Sequence, residues 1–137
     1  MSLMLCDKDT LTEMKMIDVI IRADGFEIPA ESTLIHGIDT QRSHQEGVDF
    51  VEAMRTSIAP ALRSARYLLA HNASFDVSVL KAELHRFGLT EEIACLEDME
   101  VVCTMKATKS VVKCVNELGR IKVIGWLLLM LCFSDSF

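Results

Sequence analysis

No run of the sequence is long and apolar enough to form a transmembrane helix. The longest, residues 123–133, covers eleven positions, whereas a bilayer span needs about 20. The first residues carry no basic stretch followed by a long apolar core, so a secretory leader is not expected. Excess positive charge is absent too. Fourteen Lys and Arg stand against 20 Asp and Glu, a formal net charge of −6. The chain as a whole therefore does not attract nucleic acid, and any such binding needs a local basic groove. The same balance is ordinary for a cytosolic protein and for an enzyme whose metals do the neutralising. The five cysteines, Cys6, Cys95, Cys103, Cys114 and Cys132, include no Cys-x-x-Cys pair and no His at ligand spacing. A zinc site or a disulfide framework is thereby disfavoured, and a reducing compartment such as the cytoplasm is expected. No internal repeat or low-complexity linker is present.

What remains is globular. Half of the 137 residues are apolar and a quarter charged, enough for one domain around one core. The chain is organised around residues 66–76. Tyr67–Ala70 is a short apolar run without alternation, as in a strand covered on both faces. His71 and Asn72 make the turn, and Asn72 or Ser74 is placed to cap the following helix. Val77, Leu80, Leu84 and Phe87 step by three, four and three, so they share a face, and Gly88 ends the helix. A strand ending in a polar turn that launches a helix puts its polar residues where open α/β sheets bind ligands. Asp76 falls in the first helical turn, where the positive helix end favours the ionised carboxylate, a state suited to holding a cation. Acids also occupy first turns simply because they stabilise helices, and one carboxylate does not separate the two roles.

Elsewhere the pattern is coarser. Residues 2–6 and 15–22 read as two strands around a polar turn at Asp7-Lys8-Asp9-Thr10. Ile28 precedes Pro29 and so is extended, with a helical turn or two following and ending at His36-Gly37. Thr40 is expected to cap a short helix through Glu46, and Asp49 a longer one in which Phe50, Met54, Ile58, Ala61 and Leu62 keep helical spacing and Pro60 imposes a kink. Arg42, His44, Arg55, Arg63 and Arg66 are scattered along these helices, a solvated face rather than a phosphate track. Glu91, Glu92, Glu97, Asp98 and Glu100 read as surface and not as a metal site. Residues 100–103 form a strand, and Thr104 caps a helix through Val115 with a stripe of Lys106, Lys109 and Lys113.

The segment His71-Asn72-Ala73-Ser74-Phe75-Asp76 resembles the second motif of the DEDD-type 3′–5′ exonucleases, the group of ribonuclease T and the proofreading subunits of DNA polymerase III. Residues 26–38, through His36-Gly37-Ile38, resemble the segment after that family's first hairpin. Val102-Cys103-Thr104-Met105-Lys106 resembles the strand and helix start after the second motif. Together they are co-linear over roughly residues 1–112.

The resemblance implies an α/β fold of the ribonuclease H-like kind: a mixed sheet with flanking helices, lacking the first strand and the last helix. Residues 1–115 would be a partial exonuclease domain and 116–137 a divergent hydrophobic tail. It also implies two-metal hydrolysis of a phosphodiester at the 3′ end of single-stranded DNA or RNA, with Mg²⁺ or Mn²⁺ about 4 Å apart. A polymerase or other protein partner is left open, and no membrane is implied. Asp76 would be the catalytic carboxylate and metal ligand, Asn72 and Phe75 would shape the nucleotide pocket, and His71 would support the turn. His36, which by itself reads as a turn or buried histidine, becomes a candidate for substrate contact.

The family's other ligands have no counterpart. The Asp-x-Glu pair of its first strand has no match ahead of the hairpin, and no late His precedes an Asp by about five residues, the last histidine here being His85. The expectation is therefore an exonuclease-like chain with impaired hydrolysis, or else a non-catalytic nucleic-acid-binding or interaction module, or a gene fragment without function. For the apolar run at 123–133, four readings stand: a buried helix, a membrane-surface patch, a short tail, or sequence read out of frame. The last is preferred because the run has no face.

Overall fold

Two strands open the chain. β1 (Ser2–Asp7) and β2 (Glu13–Asp18) pair antiparallel in a computed structural model that describes residues 1–108 and 129–133. Their turn is built on Asp7, whose carboxylate accepts from the Asp9 and Thr10 amides and from the Thr10 hydroxyl at 2.7–3.1 Å. Those donors, the Thr10 hydroxyl first, hold Asp7 below the usual carboxylate range. β2 stops four residues short of the expected Arg22, because better partners lie elsewhere. The Ser43 hydroxyl accepts from the Ala23 amide at 2.8 Å, the Arg22 amide donates to the Val48 carbonyl and the Val48 amide donates to the Ile20 carbonyl, both at 2.9 Å.

Helices follow on one side. α1 (Ala30–His36) ends at Gly37, whose φ of 73° suits a residue without a Cβ. α2 (Thr40–Glu46) is capped by Asp39, not by Thr40: Asp39 accepts from the Arg42 amide at 2.7 Å. The Thr40 hydroxyl instead accepts from the Ile28 amide at 2.8 Å, tying the extended segment before α1 to α2. α3 (Phe50–Ala53), capped by Asp49, continues through a π-helical segment (Met54–Ile58) into α4 (Ala59–Ser64). Pro60 offers no amide and crowds the preceding turn, and the wider π turn absorbs this without ending the helix. Phe50, Met54, Ile58, Ala61 and Leu62 are all buried, as their spacing predicts.

β3 (Tyr67–Ala70) leads into α5 (Ala73–Arg86), then α6 (Thr90–Asp98), β4 (Glu100–Cys103) and α7 (Thr104–Thr108). Leu80 and Leu84 of α5 are buried, whereas Phe87 lies past its end, partly exposed and stacked on Phe50 at 5.1 Å. β3 and β4 are parallel, a helical crossover apart. The last strand among the described residues is β5 (Leu129–Phe133).

The sheet runs β2-β1-β5-β3-β4, with β5 parallel to β1 and antiparallel to β3. Residues 129–133 are thus the central strand, a role that none of the four sequence readings gave them. An apolar run with no face is what a strand flanked on both sides displays. The rest of the apolar run and tail, and the expected helix beyond Thr108 with Lys109 and Lys113, lie outside the described residues. Among the described residues no helix is long and apolar enough to cross a membrane.

Register decides where the polar ends meet. Met16, Met4, Met130 and Leu69 form one row across four strands. The carboxyl end of β3 therefore shares an edge of the sheet with Ser2 at the start of β1 and Asp18 at the end of β2.

Candidate functional site

The site begins where β3 ends. Asn72 takes a left-handed conformation (φ 63°, ψ 43°) that Asn tolerates better than most residues. Its side chain makes no capping bond, contrary to expectation, and neither does that of Ser74. The turn is closed instead by backbone, the Phe75 amide donating to the Asn72 carbonyl at 2.9 Å. This geometry leaves Asn72 exposed, turns the Phe75 ring outward at 60 % exposure and drives Asp76 inward to 6 %.

Parallel pairing of Ala70 with Cys103 sets the start of α7 beside the start of α5. Thr104, expected as a helix cap, spends its side chain on this junction. Its hydroxyl lies 3.4 Å from the Ala70 carbonyl and 3.2 Å from His71 Nδ1. The Cys103 thiol is drawn below its ordinary value by backbone amides, that of Lys106 first and those of Ala73, Asn72 and Met105 after it.

Asp76 Oδ1 is buried without a hydrogen-bond partner, and so is His71 Nε2. Burial, the largest influence, raises the Asp76 pKa. Its own backbone amide and the nearby His71 pull the other way and do not prevail. Desolvation thus works against the charged form that the helix end was expected to favour.

His36 stands apart. It ends α1, and its Nδ1 accepts from the Ile38 amide at 3.1 Å. With Ile35, Ile38, Arg42 and Asp18 it borders a groove of about 620 Å³ that includes Ser2. The groove opens on the sheet edge where β3 delivers Asp76. Three inter-strand spacings, roughly 14 Å, separate β2 from β3. The structure therefore gathers Asn72, Phe75 and Asp76 on one turn and sets His36 along the same edge, not in contact with them.

The charged residues behave as expected of a surface. Arg42 pairs with Glu46 at 2.9 Å, Arg63 with Glu92 at 2.7 Å and Lys81 with Glu97 at 2.9 Å. Cys6, Cys95 and Cys103 are free thiols. Among the described residues no three His, Cys, Asp or Glu side chains cluster as a metal cage. One buried acceptor without a donor suits a single cation, and a two-ion clamp is not assembled from these residues. Sequence reasoning gave Thr104 a helix-capping role and His71 a supporting role in the turn, and missed their contact with each other. Only the long-range pairing of β3 with β4 brings them together, and no local pattern signals it.

Residues 4–123 match the family model of the RNase T exonucleases. The match spans the hairpin, the acid-bearing turn and the α5–β4 crossover. The chain belongs to that exonuclease family, and its mixed α/β sheet with flanking helices is consistent with a ribonuclease H-like exonuclease domain. No curated protein and no solved structure matches it. The family acts on nucleic acid and typically uses divalent metals.

Proposed function

We propose that this chain binds the 3′ end of single-stranded DNA or RNA through a divalent cation, Mg²⁺ or Mn²⁺, held at Asp76, and hydrolyses it weakly or not at all on its own. The observation that carries the reading is the buried, donorless Oδ1 of Asp76, set at the carboxyl end of a strand in a family of exonucleases. A cation there turns an unfavourable buried acceptor into a ligand and offers its open positions to phosphate oxygens. Phe75, with its ring exposed on the same helical turn, supplies a face for base stacking, and Asn72 supplies amide donors and acceptors. His36 borders the groove along the same edge. In two-metal hydrolysis the paired ions stabilise both attacking and leaving oxygens, and a single carboxylate does not hold such a pair.

The test uses end-labelled single-stranded DNA and RNA with the purified chain, with Mg²⁺ or Mn²⁺ and with chelator. We expect cation-dependent binding that weakens with added salt and with Asp76→Ala, and little trimming. Robust 3′ trimming abolished by Asp76→Ala would replace this reading with a complete exonuclease. Binding indifferent to both chelator and Asp76→Ala would remove the site altogether.

A further inference from the structure

Asp76 Oδ1 has no hydrogen-bond partner of its own, so the direction of the carboxylate is inherited from the turn that starts α5. Side chains hold that turn at few points. Ala70 and Ala73, on either side of it, are buried but carry no polar group. Asn72 is exposed, lies at a φ of 63° and makes no side-chain cap. A residue in that sparsely populated region persists only where its surroundings over-determine it. Among the described residues, one side chain from another element supplies such a hold. The Thr104 hydroxyl lies 3.2 Å from His71 Nδ1 and 3.4 Å from the Ala70 carbonyl, and both contacts are partly buried. A hydroxyl has one proton to give and two lone pairs to accept with, so it serves the His71 ring in either tautomer. The parallel pairing of Ala70 with Cys103 is what sets Thr104 there.

We propose that Thr104 is a positioning residue for the acid-bearing turn: its hydroxyl braces the end of β3 and His71 against the start of α7, and so fixes where α5 points Asp76. The functional half of this inference rests on the reading that Asp76 holds a cation. Thr104 touches neither cation nor nucleic acid in this role and acts through His71. Such support matters because a binding group must be held within about 0.5 Å of its productive place by neighbours that are themselves locked. A hydroxyl that merely steadied α7 would behave otherwise. Thr108 provides that comparison, since its hydroxyl donates to the Thr104 carbonyl at 2.8 Å within the same helix.

The test has two readouts on the full chain. The first is native-state hydrogen exchange of the Phe75 amide, which closes the turn on the Asn72 carbonyl. The second is cation-dependent binding of a short single-stranded DNA in Mg²⁺, by fluorescence anisotropy. Thr104→Val should speed Phe75 exchange about fivefold with the β1–β2 hairpin amides unchanged, a local effect that a general loss of stability does not produce. It should weaken binding about tenfold. Thr104→Ser should restore both, and Thr108→Val should alter neither. His71→Phe, which keeps a ring and breaks the contact from the other side, should match Thr104→Val. Unchanged Phe75 exchange in either Thr104→Val or His71→Phe overturns the brace, as does an equal effect of Thr108→Val. Faster exchange with unaltered binding overturns the positioning role. Binding indifferent to Asp76→Ala overturns the cation reading beneath it and with it the functional half, while the exchange comparison, made without any ligand, still decides the brace.

Discussion

At the scale of single residues, the chain buries one acid and leaves its Oδ1 without a hydrogen-bond partner. Burial raises the Asp76 pKa above its ordinary value, so between the unfolded and folded values the native state holds more protons than the unfolded one. Stability must then fall as pH rises through that window and stay level above it. Removing the charge removes the penalty. In chelator at pH 7, Asp76→Asn should therefore melt higher than wild type, by about 3–5 °C for each 1 kcal/mol recovered. Well below the ordinary value of 3.8 the two should converge, because wild-type Asp76 is then protonated in both states. Added Mn²⁺ should raise the wild-type melting temperature and leave the variant unmoved. Melting curves from pH 3 to 8, with and without the ion, check all three. A variant that melts lower at neutral pH would mean that the carboxylate is satisfied in solution.

Secondary-structure elements show where local sequence suffices and where it stops. The unalternated run Tyr67–Ala70, the polar turn and the three-four spacing of Leu80 and Leu84 are local signals, and β3 and α5 follow from them. Cap identity is less local. Asp39 displaces Thr40 because Thr40 is claimed by the Ile28 amide, and Thr104 is claimed by β3. β5 was illegible for a stronger reason: its register partners, Leu3 and Leu68 among them, lie more than sixty residues away in sequence. Its apolar run carries no period to announce them. A proline at Leu131, which pairs with both Leu5 and Leu68, removes an amide from the ladder in the middle of the sheet. Leu131→Pro should destabilise the fold by about 3 kcal/mol or more and deprotect amides of both β1 and β3 in hydrogen exchange. Protection lost on one neighbour only would place β5 at an edge.

A second element-scale feature pins the layers. Gly47 follows α2, and a Cβ there would lie 2.1 Å from the Ser43 carbonyl oxygen and 3.0 Å from Arg22 backbone. Both obstacles are main chain, and neither can swing aside as a side chain would. The contact holds residues 21–23 against α2, beside the groove that His36 borders. Gly47→Ala should cost about 1–3 kcal/mol, read from urea unfolding. It should also perturb the groove, seen as shifts of the Ile38 and Arg42 amides. A neutral Gly47→Ala would mean that α2 yields at its end.

Across the whole molecule, charge sets how a nucleic acid is met. A net charge of −6 repels a polyanion at long range, and Arg22, Arg42, Arg63 and Lys81 already sit in ion pairs with acids. Those paired cations are less available for a phosphate track, in which monovalent counterion release would drive binding. The cation proposed at Asp76 would be an alternative attraction, acting at one point. The two modes differ in their salt dependence. A protein neutralising six to ten phosphates loses about 10³–10⁵ in affinity between 50 and 200 mM salt, whereas a single cation bridge should lose about tenfold or less over that range. The bridge should vanish in chelator at any salt concentration. Binding of a short single strand, measured by fluorescence anisotropy across that range with and without Mn²⁺, separates them. A steep salt slope that survives chelation would locate the contact on a basic face. A shallow slope that needs the ion would place it at Asp76, on the turn that follows β3.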